Sequence, residues 1–159
     1  MKITVLCVGK IKESYLREAI AEYSKRLGGY CDLEIVEVDD EKTPDGAGEK
    51  ADRKIREKEG ERLARHIPDG AYVVATAIGG KEYTSVEFSE GLENLMVDGV
   101  SHIVFIIGGS LGLSEEVLES SDARISFSRM TFPHQLMRVI LLEQIYRAFR
   151  IMKGEPYHK

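Results

Sequence analysis

Short apolar segments alternate along the chain with longer stretches in which apolar residues recur every three or four positions. The short segments span residues 3–8, 33–38, 72–78, 103–107 and 123–126. Strands separated by helices pair in parallel through crossover connections, so this pattern predicts an α/β fold with a mainly parallel sheet and flanking helices. Residues 103–107 are all apolar, which predicts a central strand buried on both faces.

The longer stretches predict helices with recognisable ends. They span residues 14–27, 49–67, 85–98, a short stretch after 114, and 134–153. Gly28 ends the first helix, Ser85 is the predicted cap of the third, and Ser114 with two following glutamates opens the short one. Pro133 suits the first turn of the last helix, and Gly154 ends it. Residues 39–48 are polar and glycine-rich, which predicts a surface loop.

The last helix is more apolar than a surface helix needs to be. On a helical wheel Glu143, Arg147 and Arg150 share one narrow polar face, and apolar residues fill both flanks. One flank can pack on the sheet. The other predicts a protein partner, for which a symmetric homodimer is the simplest hypothesis.

Composition limits the class of protein further. A chain of 159 residues is large enough to fold as one domain, predicted over residues 1–159. Cys7 and Cys31 stand alone in apolar runs, so neither a disulfide nor a metal site is expected. The N-terminal apolar run is too short for a signal peptide, and no segment is long enough for a membrane span. A cytoplasmic protein without a membrane partner is therefore expected.

Charge is distributed unevenly along the sequence. The formal net charge is −5, yet residues 123–159 contain 7 Lys and Arg against 2 Asp and Glu. A basic C-terminal surface on an acidic body is compatible with a polyanionic substrate.

Two predicted strands end in paired glycines. Gly79-Gly80 follows the third strand and Gly108-Gly109 follows the fourth, with Gly112 shortly after. Glycines at the carboxyl end of a parallel sheet let the backbone approach a ligand closely. The alternative is a tight strand-to-helix turn without a ligand, because glycines occur in turns generally. A second glycine-ended strand favours a crevice for a flat ring with few charges.

The common nucleotide motifs are absent. The turn reads G-G-x-x-G, which differs from the dinucleotide fingerprint, and no acidic residue lies between Asp122 and Glu143 to bind a ribose. Gly80-Lys81 lacks the other residues of a phosphate-binding loop. NAD, FAD and ATP are therefore disfavoured. The loop 127–132 offers apolar walls and small hydroxyl groups, which favour an adenine without phosphates. The alternative is that these residues only fill the hydrophobic core.

Several motifs resemble one family. Residues 126–138 read SFSRMTFPHQLMR, residues 143–148 read EQIYRA, the chain ends in PYHK, and residues 58–61 read KEGE. Residues 2–5 (KITV), 8–10 (VGK) and 22–27 (EYSKRL) add to these motifs, so that the match extends over nearly the whole chain. In these motifs the sequence resembles the ribosomal RNA large-subunit methyltransferase H family, a minimal SPOUT-class enzyme.

The resemblance implies an activity, a cofactor and partners. It implies a homodimer that uses S-adenosylmethionine to methylate N3 of a pseudouridine in 23S rRNA of assembled ribosomes or large subunits. It also implies a SPOUT-type fold with a C-terminal trefoil knot, which general topology rules would not predict.

The family's cofactor contacts can be transferred by position. They fall on Thr76, Gly108, Phe127, Ser128, Arg129, Met130, Thr131 and Phe132. Family members commonly have a larger aliphatic residue where Thr76 stands, which raises doubt about side-chain packing there more than about binding.

The candidates for catalysis lie near the chain end. N-methylation of an imide needs removal of a proton, and the imidazole of His158 is a candidate acceptor for it. Tyr157 could stack on a base. Arg138, one helical turn after His134, could hold a phosphate or polarise a base carbonyl, although a structural role at a dimer contact is an equal alternative. Tyr157 and His158 could act in their own subunit or in the partner's.

Two other functions share the predicted crevice. One is a non-catalytic α/β module that binds a nucleoside-like ligand, and the other is a Rossmann-type oxidoreductase. The missing ribose-binding acid already disfavours the oxidoreductase.

Overall fold

Five strands and five helices alternate in the computed structural model, which describes residues 1–159. In chain order the elements are β1 (Lys2–Val8), α1 (Ser14–Leu27), β2 (Asp32–Val38), α2 (Glu49–Ala64), β3 (Tyr72–Glu82), α3 (Ser85–Val97), β4 (His102–Ile107), α4 (Glu115–Ser120), β5 (Ala123–Ser126) and α5 (His134–Met152). The predicted α/β class and all ten predicted elements are confirmed.

The strands form one sheet in the order β2-β1-β4-β3-β5, and every neighbouring pair is parallel. β4 lies in the middle, and its residues Ile103 to Ile107 are all buried. The prediction of a central fourth strand is therefore confirmed, because a strand covered on both faces excludes polar side chains.

Helices cover both faces of the sheet. Ile3, Val5 and Cys7 of β1 point into one core, where α5 supplies most of the helical contacts. Leu6 and Val8 point into the other core, together with side chains of α2 and α4. This division follows from the two-residue period of a strand, which sends alternate side chains to opposite faces.

The start of α3 differs from the prediction. Thr84, and not Ser85, is the N-cap: its hydroxyl accepts a hydrogen bond from the Glu87 backbone at 3.1 Å, and the Glu87 carboxylate accepts one from the Thr84 backbone at 2.7 Å. Ser85 donates instead to Gln144 of α5 at 2.7 Å. The reciprocal pair satisfies two backbone donors, which a Ser85 cap could not do.

β3 is longer than predicted. It continues through both glycines to Glu82, with an irregularity between Thr76 and Lys81, each of which pairs with Ile125 of β5. A side chain at Gly80 would place its Cβ only 2.6 Å from the Ile125 carbonyl carbon. Gly80 is therefore required by the close crossing of two backbones. The trefoil knot in this half of the chain stays a prediction.

Two further findings concern the whole chain. None of the helices combines the length and the apolar character that crossing a membrane requires. The structure contains no group of three His, Cys, Asp or Glu side chains arranged to hold a metal ion.

Candidate functional site

A cavity of about 680 Å³ opens at the carboxyl ends of β3, β4 and β5. Its walls are the end of β3, the glycine turn after β4 and the segment that leads from β5 into α5. Its size is typical of a small-molecule site. Seven of the predicted cofactor residues line it: Thr76, Gly108, Phe127, Ser128, Met130, Thr131 and Phe132. Arg129 is outside the lining.

The glycine turn needs glycine for steric reasons. A Cβ on Gly108 would lie 2.7 Å from the carbonyl carbon of Gly112, and Gly112 itself has φ of +83°. The Gly112 backbone donates to the Gly109 carbonyl at 3.0 Å, which closes the turn. The backbone is thus folded tightly on itself at the cavity wall, where a side chain would force it open.

Thr76 is tied to the neighbouring strand. Its hydroxyl donates to the Ile106 carbonyl at 2.9 Å. Because the hydroxyl's one hydrogen is used there, Thr76 is not a free donor toward the cavity. Compared with the larger aliphatic residue that the resemblance leads one to expect, Thr76 therefore adds no hydrogen-bond donor to the cavity.

Local hydrogen bonds fix the loop between β5 and α5. Ser126 Oγ donates to the Ser128 carbonyl at 2.9 Å, and the Met130 backbone donates to Ser128 Oγ at 3.0 Å. Phe127 packs edge-on against Phe88 of α3 with ring centroids 6.4 Å apart. Met130 is 73% exposed and lies at the mouth of the cavity.

The cavity is almost uncharged. No Asp, Glu, Lys or Arg lines it, and His134 is its one titratable side chain. Without Lys or Arg the cavity offers no side-chain cation to a phosphate, so it suits an uncharged ring held by apolar contacts, backbone groups and hydroxyls. The helical wheel placed His134 beside Arg138 and gave it no site role. Its position two residues after the loop 127–132 was the available signal.

Arg138 is 1% exposed and is committed to the ends of two strands. It donates to Glu37 at 2.6 Å, to the Val8 carbonyl at 3.0 Å and to the Gly9 carbonyl at 2.6 Å. These contacts give Arg138 a structural role within the subunit, where the sequence suggested a phosphate, a base or a dimer contact. Its participation in catalysis stays a prediction.

The C-terminal tail is anchored to α5 of the same chain. Tyr157 donates to Glu143 at 3.0 Å, its ring lies edge-on to Tyr146, and the Arg147 guanidinium stands 4.6 Å from the ring centroid. Burial and the hydrogen bond to Glu143 raise the pKa of Tyr157 to about 12. His158 Nδ1 lies 3.2 Å from the Arg147 guanidinium.

A second set of contacts holds the start of the tail. Arg150 pairs with Glu155 and donates to the Pro156 carbonyl at 2.9 Å, and Tyr30 donates to Glu155 at 2.8 Å. Charged and aromatic contacts therefore both hold the tail against the rest of the chain. None of Arg138, Tyr157 and His158 lines the cavity, so the structure does not bring the predicted catalytic residues together with the predicted cofactor residues.

A parallel sheet with a tight glycine turn and an almost uncharged cavity at its carboxyl edge is the arrangement in which α/β proteins typically bind small molecules. The chain belongs to the SPOUT methyltransferase family, because the family model described as "Predicted SPOUT methyltransferase" matches residues 1–158. The protein is thus a methyltransferase, which confirms the predicted enzyme class against the non-catalytic module and the oxidoreductase.

Similar proteins agree over the whole length. A protein of Bifidobacterium adolescentis named "Ribosomal RNA large subunit methyltransferase H" is 62% identical over 159 residues, with 100% of both chains covered. A Clostridium beijerinckii protein of the same name is 60% identical with the same coverage. The solved structure of a probable methylase family protein from Haemophilus influenzae Rd KW20 has a TM-score of 0.57 at 12% identity, over 99% of this chain and 70% of that one, and supports the fold alone.

Proposed function

We propose that the protein transfers the methyl group of S-adenosylmethionine to N3 of a pseudouridine in 23S ribosomal RNA of the ribosome or large subunit. The observation that carries this proposal is the identity of 62% and 60%, from end to end, with two relatives named ribosomal RNA large subunit methyltransferase H. The position on the base and the identity of the donor rest on the resemblance of the C-terminal motifs.

The lining of the cavity supports S-adenosylmethionine as the donor. The lining carries no Asp, Glu, Lys or Arg, which agrees with an adenosine that bears no phosphate. Gly108 and Gly112 line the cavity without side chains, which allows the backbone of the turn to approach a ligand closely. Phe127 and Phe132 supply apolar walls, and Ser128 and Thr131 supply hydroxyls.

The reaction needs orientation more than activation by the protein. S-adenosylmethionine supplies a methyl group that is already electrophilic. The residues of the cavity must hold the target N3 in line with that methyl group, exclude competing water and provide a route for the N3 proton.

The tail is proposed to contact the RNA. Tyr157 and His158 carry an aromatic ring and an imidazole, two groups that can stack on or hydrogen-bond a nucleobase. Arg147 and Glu143 hold both residues at a defined place on α5. Deleting residues 157–159 should abolish methyl transfer and leave the dissociation constant of S-adenosylmethionine, measured by calorimetry, nearly unchanged. Unchanged turnover would refute the role.

A homodimer is proposed as the active form. Ile78, Met130 and Leu136 are exposed apolar side chains, the first two on the cavity lining and the third on the first turn of α5. A partner subunit that covered them would bury apolar area now in water. Light scattering should report a dimer at micromolar concentration, and a monomer would contradict the proposal.

The activity itself can be tested directly. The protein is incubated with radiolabelled S-adenosylmethionine and ribosomes from a strain that lacks the modification. Label in the large-subunit RNA is expected, and mass spectrometry of nuclease fragments should place it on a pseudouridine base. Binding of the donor without transfer to any ribosomal RNA would refute the proposal.

A further inference from the structure

His134 is the one residue of the cavity whose side chain can gain and lose a proton near neutral pH. The other polar side chains of the lining are hydroxyls and the amide of Gln135, which are poor bases. A reaction that removes a proton from the substrate therefore has one candidate acceptor among the lining side chains.

The fold holds the His134 imidazole at the cavity wall and leaves its nitrogen atoms without a hydrogen-bond partner in the protein. His134 is the first residue of α5 and follows Pro133, so the start of the helix fixes its backbone. Its Nε2 lies 3.5 Å from where a Cβ of Gly9 would stand, and Gly9 has φ of +89°. The hydrogen bonds made by imidazoles in this structure belong to His102 and His158, and none belongs to His134.

The surroundings of His134 favour its neutral form. Burial and the neighbouring Arg138 guanidinium lower the pKa of His134 below its usual value of 6.5, while Asp40 after β2 and Glu13 before α1 oppose them. Arg138 is itself paired with Glu37. A neutral imidazole keeps one nitrogen lone pair free to accept a proton at pH 7.

We propose that His134 is the residue that accepts the proton during methyl transfer. This inference rests on the proposed function. His134 takes the N3 proton of the target base as N3 bonds to the methyl carbon. The bond between that carbon and sulfur breaks, and its electron pair stays on sulfur. The imidazolium then releases the proton to water, so one proton leaves for each methyl group transferred.

The residues of the tail are poorer acceptors in this structure. Tyr157 donates a hydrogen bond to Glu143, and burial raises the pKa of Tyr157 to about 12. His158 is exposed and lies against the Arg147 guanidinium, outside the cavity. Proton acceptance by His134 leaves both residues free to contact the RNA.

The test compares His134→Gln and His134→Asn with the wild-type protein and with His66→Gln, an exposed histidine far from the cavity lining. Single-turnover transfer of label to ribosomes lacking the modification is measured at saturating S-adenosylmethionine between about pH 5.5 and pH 9. The dissociation constant of the donor and the melting temperature are measured for every variant. Two replacements are used so that one poorly folded variant does not decide the result.

The wild-type rate should rise with pH and reach a plateau, with a midpoint below about 6.5. Both His134 variants should lose about 100-fold or more at pH 7, the usual contribution of a general base. Their rates should then rise about tenfold per pH unit through pH 9, because hydroxide must remove the proton. Donor affinity should change less than about threefold, and His66→Gln should match the wild type.

Two results would overturn the inference. One is a His134 variant with the wild-type rate and pH profile. The other is a variant whose donor affinity falls while its pH profile at saturation is unchanged, which would make His134 a binding residue only. Absence of transfer by the wild-type protein would instead refute the proposed function, and the inference with it.

Discussion

Replacing Arg138 with methionine should destabilise the protein, because Arg138 connects α5 to the ends of two strands. Arg138 is 1% exposed, and methionine can fill much of its volume. The replacement removes a hydrogen-bonded ion pair with Glu37 and two hydrogen bonds to the carbonyls of Val8 and Gly9. These bonds tie the start of α5 to the ends of β1 and β2, beside the cavity.

The expected loss is about 3 kcal/mol in the free energy of unfolding. Removing one partner of a buried ion pair usually costs about 3–5 kcal/mol, because the other charge is left unpaired. Glu37 is 35% exposed, so water can solvate it after the change, which favours the lower end. The total free energy of unfolding of a typical domain is about 5–15 kcal/mol, so the variant should still fold.

Urea denaturation followed by circular dichroism measures this loss, with an unchanged slope as a check that the unfolded surface is the same. Arg17→Met, at an exposed position of α1, is the matched control and should change stability by no more than about 0.5 kcal/mol. If Arg138→Met lost under about 1 kcal/mol yet lowered methyl transfer about 100-fold, the structural reading would be wrong and Arg138 would act on the substrate.

Three other changes are expected. Gly108→Ala should weaken donor binding at least about tenfold in calorimetry with an unchanged circular dichroism spectrum, because its Cβ meets backbone at 2.7 Å; a change under twofold would contradict this. Cys7, whose pKa burial raises to about 12, should resist a thiol reagent at about pH 8, and Cys31, less buried, should react first; equal rates would be inconsistent. Burial and the hydrogen bond to Glu143 favour the protonated form of Tyr157. Tyr157 therefore contributes its full share to the stability of the fold below about pH 10, and this contribution is lost as the pH rises toward 12. Ultraviolet titration of Glu143→Gln should therefore show a lower Tyr157 pKa, and no shift would argue against the contact.

The fold was predictable where local pattern and tertiary packing agree. The apolar residues 103–107 correctly indicated a central strand, since a strand buried on both faces must be apolar throughout. The length of β3 was not predictable. Gly79 and Gly80 look like a strand end, yet Lys81 and Glu82 pair with β5, and this pairing with residues over 40 positions away overrides the local signal.

The same distinction applies to the site. The glycine turn and the loop 127–132 were identified from sequence because turns carry local signatures, and both line the cavity. The burial of Arg138 depends on Glu37, which is 101 positions away, so no local pattern could indicate it. The sequence also could not show that His134 enters the cavity, since a helical wheel gives the face of a residue but not what lies opposite.

The excess positive charge of the last 37 residues does not form an open phosphate-binding surface. Arg138, Arg147 and Arg150 are paired with Glu37, Glu143 and Glu155, and Arg124 donates to a backbone carbonyl. Arg129, Lys153 and Lys159 are the basic residues of this segment that have no acidic partner and whose side chains make no hydrogen bond. Three phosphate contacts per subunit would give a salt slope of only about −2 to −3. If the proposed RNA substrate is correct, we expect its recognition to depend more on shape and on the tail than on long-range attraction to this segment.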